Sequence, residues 1–443
     1  MNSDDTIYAL SSGKLPAGIA VIRISGVRAS DVLKCMAGHL PVERHASFSR
    51  LADPKTGEPL DHALVLWLPG PGSFTGEDIA ELHCHGGRAV VAAVLDCLGA
   101  MPGLRPAEPG EFTRRAYRNG RLDLVEVEGL ADLIGAETEA QRRQALRQAD
   151  GALSELYGRW RKDIIWARAM IEAELDFADE EDVPGSISDQ VWAKVAGLAG
   201  EIERHLERSV AAERLRDGVQ VVLMGRPNAG KSSLLNALSR RDVAIVTEEA
   251  GTTRDVIEVH LDLGGYPVTL VDTAGIREDA GRVEAEGIRR ARQRVEAADL
   301  VLWLRAADDP KGREQIVADT GAPVWKLRSK SDLGADADQL DADEISISMQ
   351  DPRTIDGLLI ALAGFVAEMV PTGEDVLATR DRHRQGLKAC RHALLQALEG
   401  EGAPLEMRAE ELRRAADHMG RITGLIGVED LLDVIFGEFC IGK

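Results

Sequence analysis

The middle of the chain reads Val219-Gln220-Val221-Val222-Leu223-Met224-Gly225-Arg226-Pro227-Asn228-Ala229-Gly230-Lys231-Ser232-Ser233. A short apolar run of strand type leads into Gly-x-x-x-x-Gly-Lys-Ser, and residues 234–238 have a helical composition. A phosphate-binding P-loop requires this order, because the two glycines allow a tight turn whose N–H groups surround a polyphosphate at the helix N-terminus. Lys231 would contact the β- and γ-phosphates, and the Ser232 hydroxyl would bind Mg²⁺. A glycine-rich turn without a ligand is the alternative.

An Asp-x-x-Gly motif follows, where the apolar run from Val268 ends in Asp272-Thr273-Ala274-Gly275. Asp272 would support the Mg²⁺ shell, and the Gly275 N–H could contact the γ-phosphate. Between the two motifs, the polar segment 250–255 offers Thr253 as a second hydroxyl ligand for Mg²⁺. Behind a P-loop, these motifs in this order predict a switch-type NTPase.

The segment Ser329-Lys330-Ser331-Asp332 follows another apolar run and predicts which base the bound nucleotide carries. Asp332 can accept from two N–H groups on one edge of guanine, an arrangement that adenine does not offer, so GTP is the expected nucleotide. GTPases usually carry Asn where this chain has Ser329. A hydroxyl cannot make both contacts of a side-chain amide, so we expect a lower nucleotide affinity. Ser346, in the run 346–348, lies where a final loop would back the guanine.

Length and composition indicate a multidomain globular protein. The chain has 443 residues, 44% of them hydrophobic and 29% charged, so we expect about two to four domains. No apolar run approaches the ~18 residues of a membrane span, and the N-terminus lacks the basic start of a signal peptide, so we expect a cytoplasmic location. Five cysteines without a Cys-x-x-Cys pair read as reduced thiols. The net charge of −21 repels nucleic acid, so a bound RNA would need a local basic patch or a partner's surface.

The predicted elements divide the chain into four segments. Residues 1–118 read as α+β, 119–215 as helical, 216–368 as alternating strands and helices, and 369–443 as helical again. The alternation predicts a mostly parallel α/β sheet covered on both faces. Because helical segments flank this unit, we expect it to be inserted in one helical domain built from both flanks. The strands are predicted at 17–26, 63–68, 78–87, 219–224, 256–263, 266–272, 300–304, 323–327 and 344–347, with a helix near 88–99.

Charged and metal-binding residue types also occur in the N-terminal strands. His83 and His85 of His83-Cys84-His85 would share one strand face, but without a clustered third ligand we expect a packing role rather than a metal site. Arg23 and Glu81 are charges within strands, and at this point they read equally well as residues of a solvated face or of a functional site.

Several motifs together carry a family resemblance over nearly the whole chain. The motifs lie at 23–26, 73–78, 85–87, 109–112, 225–235, 251–255, 272–278 and 439–443. On these motifs the chain resembles the tRNA modification GTPase MnmE (TrmE) family, and the N-terminal set combined with the Cys-Ile-Gly-Lys end is highly specific.

The resemblance implies an N-terminal domain that forms a homodimer and binds 5-formyl- or methylene-tetrahydrofolate as a one-carbon source. The implied folate contacts are Arg23, Glu81, Arg121 and Lys443. It also implies a flavoprotein partner, MnmG, which would supply FAD and much of the surface that binds tRNA. Together they would add a carboxymethylaminomethyl or aminomethyl group to carbon 5 of the wobble uridine of certain tRNAs. A partner's surface would answer the objection from net charge.

GTP hydrolysis needs an explanation, because Ile276 stands where many GTPases place a water-orienting Gln, although Arg254 and Arg277 are candidates for an arginine finger. The resemblance implies a K⁺ ion, bound when two G domains meet, and a general base at Glu284, with Glu286 as a local rival. The implied K⁺ ligands are Asn228, Thr247, Glu249 and Thr252. For Asn228, loop geometry is the alternative role.

The catalytic candidates are therefore Lys231, Glu284 and Cys440, although for Cys440 a small buried hydrophobe is the favoured reading. The expected nucleotide site comprises Asn228, Ala229, Gly230, Lys231, Ser232, Ser233, Thr247, Thr252, Thr253, Asp272, Thr273, Ala274, Gly275, Ser329, Lys330, Asp332 and Ser346. A GTP-dependent switch in RNA folding or ribosome assembly is the alternative function. The N-terminal motifs and the Cys-Ile-Gly-Lys end favour tRNA modification.

Overall fold

The computed structural model describes residues 5–176, 186–241, 243–245, 258–272, 296–309, 321–333, 344–370, 376–399, 403–426, 432, 435–437 and 439–442. The chain divides into two compact units. The first comprises Met1–Ala131, Gln148–Arg161 and Asp417–Lys443, and the second comprises Asp132–Arg147 and Lys162–Ala416. The predicted division at 118, 215 and 368 is finer than this and stays a prediction.

The first unit contains a six-stranded sheet in the order β3-β4-β5-β2-β1-β6. Its neighbours pair antiparallel except β1 and β6, which are parallel. The three predicted strands and the predicted helix are confirmed, and β1, β3 and β6 are additional. The elements are β1 Thr6–Leu10, β2 Ala17–Ser25, α1 Ala29–Met36, β3 Ser47–Ala52, β4 Pro59–Leu68, β5 Ile79–Gly86, α2 Arg88–Gly99 and β6 Leu104–Pro106.

Side chains alternate along β2 between the face that packs on α1 and α2 and the opposite face of the sheet. Ala20, Ile22 and Ile24 are fully buried in a cluster with residues of α1 and α2. Because successive side chains of a strand point to opposite faces, Arg23 lies on the face away from those helices. Glu81 on β5 is its register partner. The strand pairing therefore brings these two charges together across 58 positions of sequence.

The C-terminal end of the chain packs within the first unit. Ile441 forms a β-bridge with Pro109, the N–H of Gly110 donates to the carbonyl oxygen of Cys440 at 3.5 Å, and the Ser11 hydroxyl donates to the carbonyl oxygen of Gly442 at 2.8 Å. The terminal motif thus lies beside β1 and the start of α3 (Glu111–Arg118).

The second unit contains a seven-stranded sheet in the order β13-β12-β11-β7-β10-β9-β8. Strands β13, β12, β11, β7 and β10 are parallel, and β9 and β8 continue the sheet antiparallel. The predicted parallel sheet and all six of its predicted strands are confirmed. The elements are β7 Val219–Gly225, α8 Lys231–Leu238, β8 Ala244–Ile245, β9 Glu258–Leu263, β10 Tyr266–Asp272, β11 Leu300–Ala306, β12 Val324–Ser329, β13 Glu344–Ser346 and α9 Pro352–Met369.

The apolar runs that predicted these strands form the core of the second unit. Val221 and Leu223 of β7 are fully buried, as are Leu302 of β11 and Leu234 of α8. Burial on both faces is typical of parallel strands covered by helices. The central position of β7 places its C-terminal end, where Gly225 lies, between the ends of β10 and β11.

The remaining helices are α4 Leu124–Ile134, α5 Glu139–Ala149, α6 Ala152–Asp176, α7 Ser186–Asp217, α10 Asp381–Glu399 and α11 Leu405–Thr423. Ion pairs join some of them: Lys194 of α7 pairs with Asp163 of α6 at 2.7 Å, and Arg391 of α10 pairs with Glu203 of α7 at 2.5 Å. None of the helices that the structure describes combines the length and apolar character needed to cross a membrane.

Candidate functional site

The loop between β7 and α8 has the backbone of a P-loop. Gly225 has φ 143°, and a Cβ there would lie 2.2 Å from the carbonyl oxygen of Leu304 on β11. Gly230 has φ 96° directly before Lys231, the first residue of α8. Both positions need glycine for conformation, and Gly225 needs it also for space. The loop thus has the glycine conformations and the helix start that the sequence predicted, and phosphate binding at the N-terminus of α8 stays a prediction.

Lys231 is held over this loop by main-chain carbonyls. Its Nζ donates to the oxygens of Gly225 at 2.7 Å and Arg226 at 3.0 Å, and the residue is 6% exposed. Burial lowers the pKa of the ammonium, and the charge of Asp272 acts against that shift. A phosphate at the loop would favour the charged form further, so the site is built to accept an anion.

Two oxygen ligands suited to Mg²⁺ converge beside the loop. The Ser232 hydroxyl lies 3.4 Å from Oδ2 of Asp272, which ends β10 and is 2% exposed. Parallel pairing of β7 and β10 brings the P-loop and Asp272 to the same edge of the sheet. Hydroxyl and carboxylate oxygens fit a hard divalent cation that takes its remaining ligands from phosphate and water. Ser232 would bind the ion and Asp272 would support its coordination shell, and the ion would offset charge on the β- and γ-phosphates.

A second cluster forms where β12 ends, at the residues predicted to read guanine. Ser329 is 1% exposed, Lys330 has φ 56°, and Asp332 accepts a hydrogen bond from Ser348, whose Oγ lies 2.5 Å from Oδ1. The sequence reasoning named Ser346, which lies half-buried on β13 and pairs with Arg328. It missed Ser348. The Ser-Ile-Ser run offers two hydroxyls, and only the hydrogen bond to Asp332 distinguishes Ser348 from Ser346.

The remaining described nucleotide residues lie in the same loop. Asn228 has φ 65° and an exposed side chain, Ala229 is 2% exposed, and Ser233 is exposed on α8. The predicted residues that lie outside the described part of the chain are Thr247, Glu249, Thr252, Thr253, Thr273, Ala274, Gly275, Glu284 and Lys443, together with Arg254, Ile276, Arg277 and Glu286.

Arg23 and Glu81 form a half-buried ion pair on the open face of the first sheet. Nε of Arg23 donates to Oε1 of Glu81 at 2.9 Å, and Nε2 of His83 lies 3.1 Å from Oε2. The hydrogen bond from His83 lowers the pKa of Glu81, and the charge of Arg23 adds to this against the effect of burial. The Arg23 guanidinium also lies 5.6 Å from the ring of Phe74 and 5.9 Å from that of Phe112. These contacts make the pair more than a solvated strand face.

Arg121 lies beside the loop that carries Phe74. Its Cγ is 3.3 Å from where a Cβ on Gly76 would lie, two residues after Phe74, and its side chain is exposed. The structure thus brings Arg23, Glu81 and Arg121 to the surroundings of loop 73–78. Cationic and anionic groups beside aromatic rings suit a flat heterocycle with a charged tail.

A network of buried charges supports this loop. Glu111 is 3% exposed and accepts from Arg105 at 2.6 Å and 2.8 Å and from Arg115 at 3.2 Å. Burial would raise the pKa of Glu111, but the hydrogen bonds from Arg105, from the Glu108 N–H and from Arg115 outweigh it and lower the pKa to about 2. Arg115 also donates to Glu77 at 2.9 Å, which ties the network to loop 73–78.

Two family models together match most of the chain. Residues 6–121 match the model of the GTP-binding protein TrmE N-terminus, and residues 124–440 match the model of the MnmE helical domain. The tRNA modification GTPase MnmE of Brucella anthropi is 52% identical over 99% of this chain and 98% of its own length. The chain belongs to the MnmE family. The protein of the same name from Mesorhizobium japonicum is also 52% identical, over 100% of both chains.

The MnmE helical-domain match begins after α3 and ends at Cys440, so it encloses the whole β7–β13 sheet. Among solved structures, Era of Aquifex aeolicus matches with 23% identity and a TM-score of 0.27, over 40% of this chain and 66% of that chain. That overlap is too slight to bear on function.

Cys440 in the MnmE-type terminal motif is exposed, which contradicts the favoured reading of a small buried hydrophobe. The reason is its position on a surface segment beside β1, where it lines a cavity of about 610 Å³ together with Tyr8, Lys14 and Asp96. By contrast, burial raises the pKa of the Cys84 thiol to about 12, and Cys390 behaves alike. Accessibility therefore distinguishes Cys440 from these two thiols.

The histidines at His83-Cys84-His85 have other partners than a metal. His83 contacts Glu81, and Nδ1 of His85 lies 2.8 Å from Oδ1 of Asp61. Within the described ranges, no cluster of three or more His, Cys, Asp or Glu side chains is arranged to hold a metal ion.

Proposed function

We propose that this protein hydrolyses GTP and that hydrolysis drives a conformational change used in tRNA modification. Its relatives carry the name tRNA modification GTPase MnmE. The observation that carries the GTPase proposal is the convergence of Lys231, Ser232 and Asp272 at the end of β7, with Asp332 directly after β12, which β11 separates from β7 in the sheet. Lys231 and the α8 N-terminus would bind the phosphates, and Asp332 would accept from the two N–H groups of guanine.

Mg²⁺ would be bound by Ser232 and by Thr253, the further hydroxyl predicted from sequence, and Asp272 would support its coordination shell. K⁺ would be held by Asn228 and by Thr247, Glu249 and Thr252 when two G domains meet. The support in the described region is the exposed Asn228 side chain at the mouth of the loop. An ion there would stabilise the charge that develops between the β- and γ-phosphates. The apolar side chain of Ile276, at the position where many GTPases have Gln, is unable to do this.

The first unit would form the homodimer through the open face of its sheet. Phe48 on the edge strand β3 is 71% exposed, its register partner Leu64 is 43% exposed, and Ile19 on β2 is 62% exposed. The Phe48 ring stacks on His62 with centroids 5.9 Å apart. Exposed apolar side chains clustered on one sheet face favour burial against a second copy. Phe48→Asp should shift the protein toward monomer in light scattering, and an unchanged mass would count against this surface.

Tetrahydrofolate, in its 5-formyl or methylene form, would bind beside Arg23, Glu81 and Arg121, with Lys443 as the further contact. The ionised Glu81 would accept from adjacent N–H groups of the pterin ring, and the arginines would face the anionic tail. The exposed Cys440 lies in the same unit as these residues.

The modification would join an aminomethyl or carboxymethylaminomethyl group to carbon 5 of the wobble uridine, with the flavoprotein MnmG as the partner that brings FAD. A net charge of −21 favours a complex in which that partner supplies much of the tRNA-binding surface. The test is nucleoside mass spectrometry of bulk tRNA from a deletion strain with and without the gene restored. Loss and recovery of the modified uridine would support the proposal. Unchanged nucleosides would favour the RNA-folding or ribosome-assembly switch.

A further inference from the structure

Residue 329 is the position at which this chain departs from the usual guanine-binding sequence, since Ser329 replaces Asn. A side-chain amide has two N–H donors and can serve a main-chain carbonyl and a base atom together. Guanine presents N7 as an acceptor on the edge opposite its N–H groups. What a single hydroxyl can do at this position follows from its partners.

Two carbonyl oxygens face the Ser329 hydroxyl. Its Oγ lies 2.5 Å from the oxygen of Ala229 in the P-loop and 3.2 Å from the oxygen of Arg305 on β11. A hydroxyl has one hydrogen to donate, and both neighbours are acceptors. The hydrogen is therefore committed to the protein backbone, and the geometry favours the P-loop carbonyl.

Redirecting that hydrogen toward a base would be costly. Ser329 is 1% exposed and Ala229 is 2% exposed, so the Ala229 carbonyl would lose a hydrogen bond in a buried setting. The serine side chain also ends one heavy atom short of an asparagine amide. The lone pairs of the hydroxyl oxygen cannot form a hydrogen bond with N7, because N7 is itself an acceptor.

We infer that Ser329 keeps the P-loop anchored but leaves N7 of guanine unread, so that this protein binds 7-deaza-guanine nucleotides as tightly as guanine nucleotides. The inference rests on the proposed binding of GTP and refines its base specificity. Recognition of the base then depends on Asp332, whose carboxylate is held by Ser348, a residue 2% exposed. Lys330 at the same turn directs its ammonium to Asp308, at 3.3 Å and 3.4 Å.

The test is calorimetric titration of the full chain with GDP, 7-deaza-GDP and IDP, in Mg²⁺ and K⁺. For the unmodified chain we expect GDP and 7-deaza-GDP to agree within about twofold, whereas Ser329→Asn should prefer GDP by about fivefold, the effect of one added hydrogen bond. IDP lacks the exocyclic amine that Asp332 would accept from, and should bind at least about tenfold more weakly.

Ser329→Ala is the matched control, because it removes the anchor and still offers no donor to N7. Both nucleotides should then weaken by the same factor, and this comparison stands even if Ser329→Asn fails to fold. Tight binding of GDP with 7-deaza-GDP at least about fivefold weaker in the unmodified chain overturns the inference alone. If none of the three nucleotides binds, the proposed function is overturned together with the inference.

Discussion

Ser348 donates a hydrogen bond to Asp332, with its Oγ 2.5 Å from the carboxylate oxygen Oδ1. The N–H of Ser331 also donates to the oxygen of Ile347 at 3.2 Å, so the segment after β13 and the turn after β12 are joined twice. A carboxylate positioned in this way needs little reorganisation to accept from guanine.

Ser348→Ala should weaken GDP binding by about tenfold, because a hydrogen bond to a charged group contributes about 1.5–3 kcal/mol. Isothermal titration calorimetry measures the change. Ser346→Ala is the matched control, since Ser346 lies two residues earlier on β13, and it should alter the affinity by less than about twofold. The opposite result would make Ser346 the residue that backs the guanine.

Asn228→Gly should remove the stimulation of GTP hydrolysis by K⁺ relative to Na⁺. Glycine keeps the φ of 65° without strain and removes the side-chain amide together with its oxygen. Steady-state phosphate release in each salt is the measurement. Asn228→Ala adds backbone strain of about 1 kcal/mol or more, so it separates loop geometry from ion binding. Persistent K⁺ stimulation in the glycine variant would leave Asn228 with a conformational role only.

Glu284→Ala should lower the turnover number by about 100-fold or more, the usual effect of losing a general base, with GTP affinity within about twofold. Single-turnover hydrolysis and nucleotide titration measure the two quantities. Glu286→Ala, two residues away in sequence, is the control and should keep most of the activity. If the two variants exchange these outcomes, the general base is Glu286.

Glu111→Gln should destabilise the first unit in a pH-dependent way. The pKa of Glu111 is lowered to about 2 from an ordinary 4.5, so its stabilising contribution is complete above pH 4.5 and disappears as the pH falls toward 2. The shift corresponds to about 3 kcal/mol at neutral pH.

Calorimetric melting of both proteins between pH 7 and pH 3 tests this. The variant should unfold several degrees lower at pH 7, and the difference should shrink on acidification. Glu108→Gln is the control, because Glu108 is 53% exposed and contacts Arg114 at 3.3 Å; such exposed pairs contribute about 0–1 kcal/mol. A pH-independent difference would assign the effect of Glu111 to packing rather than charge.

Glu81→Gln should weaken 5-formyl-tetrahydrofolate binding by at least about tenfold, because a neutral amide replaces the charged acceptor. Titration calorimetry with the folate alone measures this. His85→Ala is the control on the same strand; its side chain is 71% exposed and pairs with Asp61, so binding should stay unchanged. Full affinity in the glutamine variant would remove Glu81 from the folate site.

Local pattern was sufficient for the P-loop, the parallel sheet and the Asp-x-x-Gly strand. The glycine spacing at 225 and 230 and the apolar runs act within a few residues, so a linear reading finds them. Strands β1 and β6 were missed for local reasons as well. Four of the five residues of β1 are buried and lack alternation, and β6 has only three residues.

The amino-acid order therefore specified the motifs on which the proposed chemistry rests: a P-loop, an aspartate predicted to read guanine and a family-specific terminus. Folding specified which side chains work together, as with Ser348 rather than Ser346 at Asp332, the Ser329 hydroxyl on the Ala229 carbonyl, and Arg23 opposite Glu81. The physical reason is that strand order and register set these contacts between residues far apart in sequence. A one-residue change of register would point each side chain to the other face of its sheet.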